Sequence, residues 1–247
     1  REYLYIKQRK QEFEDIIKEN SISVIDDIEE RLSDIGYVVK IENLKASWFG
    51  SSTKRIRTII AAVRSDLKND FEYPTITHYD SKEKKNAELT YSKNNKRYNT
   101  IRDAFNLLDP NVNSPKKDKD NQPMQHSEKS IRRFSLIPKG KNFVDVMNDA
   151  PDELKISKFY SRGCTMRLDD SKPAPTLVPG HSNFPVHPTE HMSITVREAA
   201  VITGFPINYK FFGNHTKRCE QVGNAVPVHL SYALAKSCKR ILDNSHD

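Results

Sequence analysis

The middle of this chain, from residue 66 to about residue 190, lacks the regular hydrophobic period of helices and strands. Lys, Asn, Asp, Ser and Pro dominate it up to about residue 125, and short apolar runs broken by Pro and Gly follow. Long irregular segments inside a compact chain are usually functional or disordered. We therefore divide the chain into a first segment (1–65), an insert (66–190) and a closing segment (191–247).

The insert also carries the positive charge of the chain. Residues 78–142 contain 15 Lys and Arg against 8 Asp and Glu, which equals the formal net charge of +7 of the whole sequence. A basic block between neutral ends suits an insert that binds a polyanion. A lysine-rich loop region that is merely solvated is an equally open interpretation.

Hydrophobic periodicity predicts regular elements in the two flanking segments. The predicted helices cover 3–19, 23–36, 195–203 and 226–241, with a short one at 100–108 in the insert, and the predicted strands cover 37–44 and 57–64. The second strand is the more apolar, so we expect it to be the more buried. Thr195 and Glu198 have the spacing of a helix capping box.

Gly223 and Asn224 interrupt an apolar run just before Pro227. A Gly-Asn pair permits a tight and possibly left-handed backbone. Proline is well suited to the first turn of a helix, where its missing N–H is not needed. The pattern predicts a tight turn that leads into a packed helix.

Composition excludes several classes of protein. No apolar run approaches the ~18 residues of a membrane span, and residues 1–10 lack the apolar stretch of a signal peptide. The cysteines, Cys164, Cys219 and Cys238, are odd in number and far apart, so we expect a cytoplasmic protein without a disulfide framework.

A metal site is a minor alternative. His181, His187 and His191 lie close together in the sequence, and Cys164 could supply a fourth ligand. Prolines break any helical spacing there and no C-x-x-C pair accompanies the histidines, so we expect no metal.

Three stretches resemble, in order, the C-terminal motifs of the DNA cytosine-5 methyltransferase family. They are GSSTKRIRTIIAAVR (50–64), TVREAAVITGFP (195–206) and QVGNAVPVHLSYALA (221–235), called below the strand motif, the helix motif and the closing motif. The segments 137–146 and 166–178 also resemble framework segments of the recognition domains of that family.

The resemblance implies an α/β fold in which a Rossmann-like methyltransferase sheet contributes its edge to this chain. On this interpretation, 1–65 is the C-terminal part of the catalytic domain and 66–190 is an irregular, mostly β target-recognition domain. Residues 191–247 are then closing helices that return to the catalytic domain.

The resemblance also implies a reaction, the transfer of methyl from S-adenosyl-L-methionine to C5 of a cytosine flipped out of double-stranded DNA. Arg55 and Arg57 occupy the two Arg positions of the strand motif, where a guanidinium can bond the flipped base and a phosphate. The alternative is that both are solvated strand residues, Arg55 more so than Arg57. Asn224, Ala225 and Val226 would line the cofactor pocket.

DNA contacts are expected from the insert. Its basic residues Arg132, Arg133, Lys139 and Lys141 would face phosphate, and the loop from Thr176 to Asn183 would approach a groove. We expect Arg197 and Glu198 to be mainly structural.

The sequence departs from the family pattern at single positions and by absences. Thr53 replaces the usual Gln, and Met192 and Val201 stand where Arg is common. The Phe-x-Gly cofactor loop, the Pro-Cys nucleophile loop and the Glu-Asn-Val motif of the family have no counterpart in these 247 residues. None of the three cysteines has the context of the nucleophile.

We therefore expect the C-terminal, DNA-recognising half of a bacterial or phage enzyme of a restriction-modification system. It would be inactive without the N-terminal catalytic half, whether that half is a separate chain or a missing segment. The alternative is a non-catalytic DNA-binding or regulatory module derived from the family.

Overall fold

The computed structural model describes residues 23–67, 70–157, 163–180 and 183–244 of the chain. The helix predicted over 3–19 lies outside these ranges. The architecture is mixed α/β, as predicted. The α-helices in these ranges are α1 (Val24–Asp34), α2 (Ile101–Phe105), α3 (Pro110–Asn113), α4 (Glu128–Ser135), α5 (Val196–Thr203), α6 (His215–Asn224) and α7 (Val228–Asn244). The strands are β1 (Tyr37–Lys45), β2 (Ile56–Arg64), β3 (Ile76–His78) and β4 (Tyr91–Lys96).

The first segment folds as a helix followed by a long antiparallel strand pair. The Ser23 hydroxyl accepts a hydrogen bond from the backbone N–H of Ile25 and caps α1. Strands β1 and β2 pair along their whole length, and a 3₁₀ turn (Ala46–Phe49) follows β1. Gly50 ends this turn with a φ of 96°, a left-handed conformation that favours glycine.

The expectation that β2 is the more buried strand is wrong. Its residues alternate between partly buried and exposed, and Ile56 and Ile60 on one face are 56% and 37% exposed. Within the described ranges β2 pairs only with β1. One face of the pair and the outer edge of β2 are therefore open.

The insert packs into the same hydrophobic core as the closing segment. The largest cluster of buried residues surrounds α5 and combines the insert residues Ile101, Ala104, Leu168, Ala174, Leu177 and Phe184 with Val196, Ile202, Phe211 and Val222. A second cluster lies under the strand pair and includes Leu44, Phe49 and Leu230. A third lies within the insert, around Phe143.

The insert is irregular, and one buried arginine donates side-chain hydrogen bonds to several of its backbone carbonyls. Its regular β structure in the described ranges is the short parallel pair β3–β4, with isolated bridges elsewhere. Arg167 is 4% exposed and donates to the backbone carbonyls of Ile137 (2.7 Å), Phe134 (2.7 Å), His187 (2.6 Å) and Glu190 (2.7 Å). One guanidinium thus provides the hydrogen-bond donors for carbonyls of two separate segments, 134–137 and 187–190.

The predicted capping box of the closing segment is confirmed. The Thr195 hydroxyl accepts from the N–H of Glu198 at 3.1 Å, and the Glu198 carboxylate accepts from the N–H of Thr195 at 2.8 Å. Helix α5 ends at Gly204, whose φ is 94°. The final predicted helix is also present, as α7. None of the helices in the described ranges is both long and apolar enough to span a membrane.

Candidate functional site

The strand motif lies directly against the segment 174–177 of the insert. Two backbone hydrogen bonds join them, from Lys54 N to Ala174 O at 2.7 Å and from Ala174 N to Ser52 O at 2.8 Å. The hydroxyl of Thr53 also donates to the carbonyl of Pro175 at 3.1 Å. Thr53, which replaces the usual Gln of the family, is therefore part of this junction.

Arg55 and Arg57 have different environments. Arg55 is 6% exposed, and its Nη1 donates to the carbonyl of Leu177 at 2.9 Å. Its Nε is buried without a hydrogen-bond partner in the described structure. Arg57 is half-buried, and among the described residues its guanidinium bonds only the carbonyl of the preceding residue, Ile56. Burial lowers the pKa of the Arg57 guanidinium, which nevertheless stays charged at neutral pH.

This result corrects one expectation. The sequence favours solvation for Arg55 more than for Arg57, yet the guanidinium of Arg55 is buried against the insert. Leu177 is buried, so its carbonyl has no access to water and needs a protein donor. Arg57 is the one of the pair that faces outward.

Thr176 lies between the two carbonyls that accept these bonds. Its neighbours Pro175 and Leu177 are bonded by Thr53 and Arg55, while Thr176 itself is exposed. The backbone on both sides of Thr176 is therefore fixed, and its side chain points to solvent.

The closing motif touches the same loop through Gly223. A Cβ at this position would lie 2.5 Å from the Cα and 2.7 Å from the backbone N of Pro179, closer than real Cβ atoms approach. Gly223 and Asn224 are the last residues of α6, and neither has a positive φ. The left-handed backbone that the Gly-Asn pair permits is not adopted, and the glycine is required by a close approach and not by its φ.

The three residues predicted to line the cofactor pocket follow this contact. Asn224 is exposed, Ala225 is half-buried, and Val226 is 41% exposed. Asn224 is the last residue of α6, and Ala225 and Val226 lie between α6 and α7. An exposed amide and an exposed apolar side chain, two residues apart, are thus available to a ligand.

The basic residues predicted to contact phosphate are mostly engaged within the protein. Arg132 pairs with Glu153 at 2.9 Å, and Lys139 pairs with Asp170 at 2.6 Å. Arg133 donates to the carbonyl of Leu154 at 2.9 Å and lies over the ring of Phe143. Lys141 is exposed, and its ammonium has no ion-pair partner in the part of the chain that the structure describes.

A basic cleft next to the strand motif was missed by sequence reasoning. Its volume is about 530 Å³. The charged lining residues are Lys45, Lys54, Lys82, Arg97, Lys172, Asp80 and Glu83. Lys45 pairs with Glu83 at 2.5 Å, whereas Lys54 is exposed and has no ion-pair partner among the described residues. The position of Lys54 between Thr53 and Arg55 was the available signal.

A buried ionic cluster joins the insert to the closing segment. Its members are Asp118, Asp120, Arg197 and Arg218, with side chains between 2% and 11% exposed. Arg197 was expected to be structural, and its place in this cluster supports that. The two aspartates were not expected here, because they lie in a lysine-rich run that indicated a solvated loop.

The histidines of the metal alternative are arranged differently from ligands. Nδ1 of His187 accepts from the backbone N–H of Thr189 and Glu190 at 3.2 and 3.1 Å, and its ring stacks on Phe105. Within the described ranges no group of three or more His, Cys, Asp or Glu side chains could hold a metal ion. His181 lies outside those ranges.

Cys219, in the closing segment, is inaccessible to solvent. Cys219 is fully buried, and burial raises the pKa of its thiol to about 11. A nucleophilic cysteine needs an accessible thiolate, usually with a lowered pKa. Cys219 therefore lacks the properties of a nucleophile.

Comparison with known proteins agrees with this arrangement. The family model for C-5 cytosine-specific DNA methylases matches residues 14–240 of the chain. The chain belongs to this family.

Individual relatives include two bacterial enzymes. The type II methyltransferase M.Eco47II of Escherichia coli is 30% identical over 232 residues, which cover 89% of this chain and 50% of that protein. M.NgoFVII of Neisseria gonorrhoeae is 29% identical over 236 residues, which cover 94% and 58%. The chain thus spans about half the length of the curated relatives it matches.

A solved structure supports the fold. It is assigned as a DNA modification methyltransferase encoded within a prophage of Escherichia coli, and it superposes with a TM-score of 0.63 at 20% identity. The superposition covers 92% of this chain and 67% of that one. At this identity the likeness concerns the fold alone.

Proposed function

We propose that this chain is the DNA-recognising half of a cytosine-5 DNA methyltransferase of a type II restriction-modification system. It would act with a second half that carries the part of the family this chain does not span. The three-part division at residues 65 and 190 belongs to the same proposal. The observation that supports this proposal is that the strand motif and the closing motif both contact the loop 174–179.

Double-stranded DNA is the expected substrate, and the site residues would make different contacts with it. Arg57 is half-buried and bonds only the Ile56 carbonyl in the described ranges, so its guanidinium would be available to contact the flipped cytosine or an adjacent phosphate. Thr176, held from both sides, would approach a groove. Lys141 and Lys54, which have no ion-pair partner among the described residues, offer ammonium groups for phosphate. Arg132, Arg133 and Lys139 would have to exchange an internal partner for DNA.

S-adenosyl-L-methionine is the expected cofactor, and when bound it would supply the methyl group. The exposed Asn224 amide and the Val226 side chain fit one wall of its pocket, with one polar and one apolar group. Gly223, which precedes Asn224, closely approaches Pro179, and this contact would hold the wall in place. The remaining walls would come from the second half.

The open strand pair supports the need for a second half. A two-stranded pair alone is marginally stable in water, and an unpaired edge recruits another strand. Here the outer edge of β2 has no partner in the described ranges, and Ile56 and Ile60 expose apolar surface beside it. A sheet contributed by the second half would cover both.

The test is transfer of tritium from labelled S-adenosyl-L-methionine to mixed-sequence DNA. The chain alone and the chain with its second half are assayed side by side. We expect incorporation only in the second case. Incorporation by the chain alone that disappears when Cys164, Cys219 or Cys238 is replaced would refute the split arrangement.

The competing function is a non-catalytic DNA-binding or regulatory module. It would be favoured if the chain bound DNA, and no co-purifying or encoded polypeptide with Pro-Cys and Glu-Asn-Val motifs could be found. The exposed edge of β2 argues against a self-sufficient module. Sequencing upstream of the codon for Arg1 and mass analysis of co-purifying chains distinguish the two.

A further inference from the structure

The ionic cluster of Asp118, Asp120, Arg197 and Arg218 connects two helices unequally. The carboxylate of Asp118 accepts from Nε of Arg197, on α5, at 2.6 Å. The carboxylate of Asp120 accepts from Nη2 of Arg197 at 3.4 Å and from Nη1 of Arg218, on α6, at 2.5 Å. Asp120 is therefore the aspartate that reaches α6.

The guanidinium of Arg218 depends on the insert for its bonds. Besides Asp120, its Nη1 donates to the carbonyl of Lys119 at 3.1 Å, and its Nε is buried without a partner in the described structure. The side chain of Arg218 is 11% exposed and that of Asp120 is 2% exposed. A buried charge that loses its counterion is strongly unfavourable, so loss of Asp120 would push Arg218 toward water.

A displacement of Arg218 would shift helix α6, which ends beside the residues predicted to line the cofactor pocket. Arg218 precedes Asn224 by six residues, about 9 Å along the axis at about 1.5 Å per residue. At the far end, Gly223 rests on Pro179. Both ends of α6 are thus fixed by residues of the insert.

We propose that Asp120 is a positioning residue for the methyl-donor cofactor. Through Arg218 it holds α6 in the place where Asn224, Ala225 and Val226 form one wall of the cofactor pocket. This inference rests on the proposed function. It adds that a residue of the insert, about 100 positions away in sequence, controls the affinity for the cofactor.

The experiment compares Asp120→Asn with Asp118→Asn in the complete enzyme, meaning this chain with its second half. Asp118 is a matched control, because it is buried in the same cluster and, of the two helices, bonds only α5 among the described residues. Its other hydrogen bonds, from the Asn113 amide and the N–H of Asp120, stay within the insert. The readouts are the melting temperature and the equilibrium affinities for S-adenosyl-L-methionine and for duplex DNA. Both variants should melt at a lower temperature.

Only Asp120→Asn should weaken cofactor binding, by about tenfold, which corresponds to about 1.4 kcal/mol. Its DNA affinity should stay within about twofold of the unmodified enzyme, a change below 0.5 kcal/mol by the same relation. Equal cofactor effects in the two variants, or an unchanged cofactor affinity in Asp120→Asn, would overturn the inference.

A second pair of variants covers the case in which Asp120→Asn does not fold. Arg218→Lys keeps a cation beside Asp120 but loses the reach to two acceptors, and Arg197→Lys is its control on α5. Arg218→Lys should weaken cofactor binding more than Arg197→Lys does, and the reverse order would refute the positioning role. An unmodified complete enzyme that binds no S-adenosyl-L-methionine would instead refute the proposed function itself.

Discussion

Nη1 of Arg55 lies 2.9 Å from the backbone carbonyl of Leu177, 122 residues further along the chain. Both residues are buried, so the bond joins the strand motif to the insert away from water. Arg57, two residues later and within β2, has no such anchor among the described residues. The two arginines of one motif thus have separate tasks, one holding the insert and the other facing outward.

Replacing Arg55 by Met should destabilise the protein. A hydrogen bond to a charged group contributes about 1.5–3 kcal/mol, and its loss leaves the Leu177 carbonyl without its donor. We expect the free energy of unfolding, measured by urea denaturation of the complete enzyme, to fall by about this amount. Arg57→Met is the control and should change it by less than about 0.5 kcal/mol. Equal losses would show that Arg55 is not an anchor.

Arg57→Ala should affect catalysis far more than DNA binding. A contact to the flipped base is made only after flipping, so its loss raises the barrier without weakening initial binding. A loss of about 1.5–3 kcal/mol corresponds to a decrease in the rate of methyl transfer of about 10- to 150-fold. Single-turnover methylation and DNA titration of the complete enzyme measure the two quantities. Turnover within twofold of the original together with weaker binding would make Arg57 a phosphate anchor instead.

Gly223→Ala should disturb the contact between the closing motif and the insert. The new Cβ would lie 2.5 Å from the Cα of Pro179, a backbone atom that cannot rotate away. Overpacking of this kind typically costs about 1–3 kcal/mol. We expect a lower melting temperature and weaker binding of S-adenosyl-L-methionine. Asn224→Ala, at an exposed position one residue later, is the stability control and should melt within about 1–2 °C of the unmodified enzyme.

Lys141 and Lys139 should differ in their contribution to DNA binding. Each phosphate contact adds about 0.9 to the slope of log affinity against log salt concentration. Lys141 has no ion-pair partner in the described ranges, so Lys141→Gln should reduce the slope by about 0.9. Lys139 already pairs with Asp170 at 2.6 Å, so Lys139→Gln should reduce it by less. Unchanged slopes in both variants would mean that these lysines are only solvated.

Glu198→Gln should change the pH dependence of stability. Burial raises the pKa of the Glu198 carboxyl, and the bonds to Thr195 that lower it do not fully compensate. The folded state therefore disfavours the ionised form, and wild-type stability declines as pH rises from the ordinary carboxyl pKa through the raised one. Gln keeps the capping bond without a charge, so the variant should gain stability relative to wild type as pH rises, and the gain should level off above the raised pKa.

Denaturation at pH 5 and pH 8 measures this difference. His187, 3.7 Å from Glu198, stays neutral at pH 8 in both proteins because burial lowers the pKa of its imidazole. Glu88→Gln, at an exposed position outside the capping box, is the control. A variant that is less stable than wild type by the same amount at both pH values would contradict the prediction.

Much of the fold was predictable from local sequence signals. The Thr195–Glu198 capping box, the helix at Ile101–Phe105 and the paired strands follow from spacing and composition, which act over a few residues. Family resemblance located the strand and closing motifs. Burial of β2 was not predictable in this way, because an apolar strand is buried only where another element covers it.

The unpredicted features depend on contacts between residues distant in sequence. Asp118 and Asp120 lie in the run KKDKD, and nothing local shows that two arginines of the closing segment reach them. Likewise, the glycine in QVGN was expected to serve a turn, whereas Pro179 requires it to be small. Such pairings become visible only when the chain is folded.

The acceptors that tie the insert to the strand motif are the carbonyls of Ala174, Pro175 and Leu177, which belong to the main chain. Every amino acid provides such a carbonyl, so substitutions in the insert leave the tie in place. Thr176, between two of these acceptors, can therefore be exchanged without releasing the loop. In the function proposed above, the DNA target could therefore change through the exposed side chains of the loop 174–179 while the attachment of that loop is inherited unchanged.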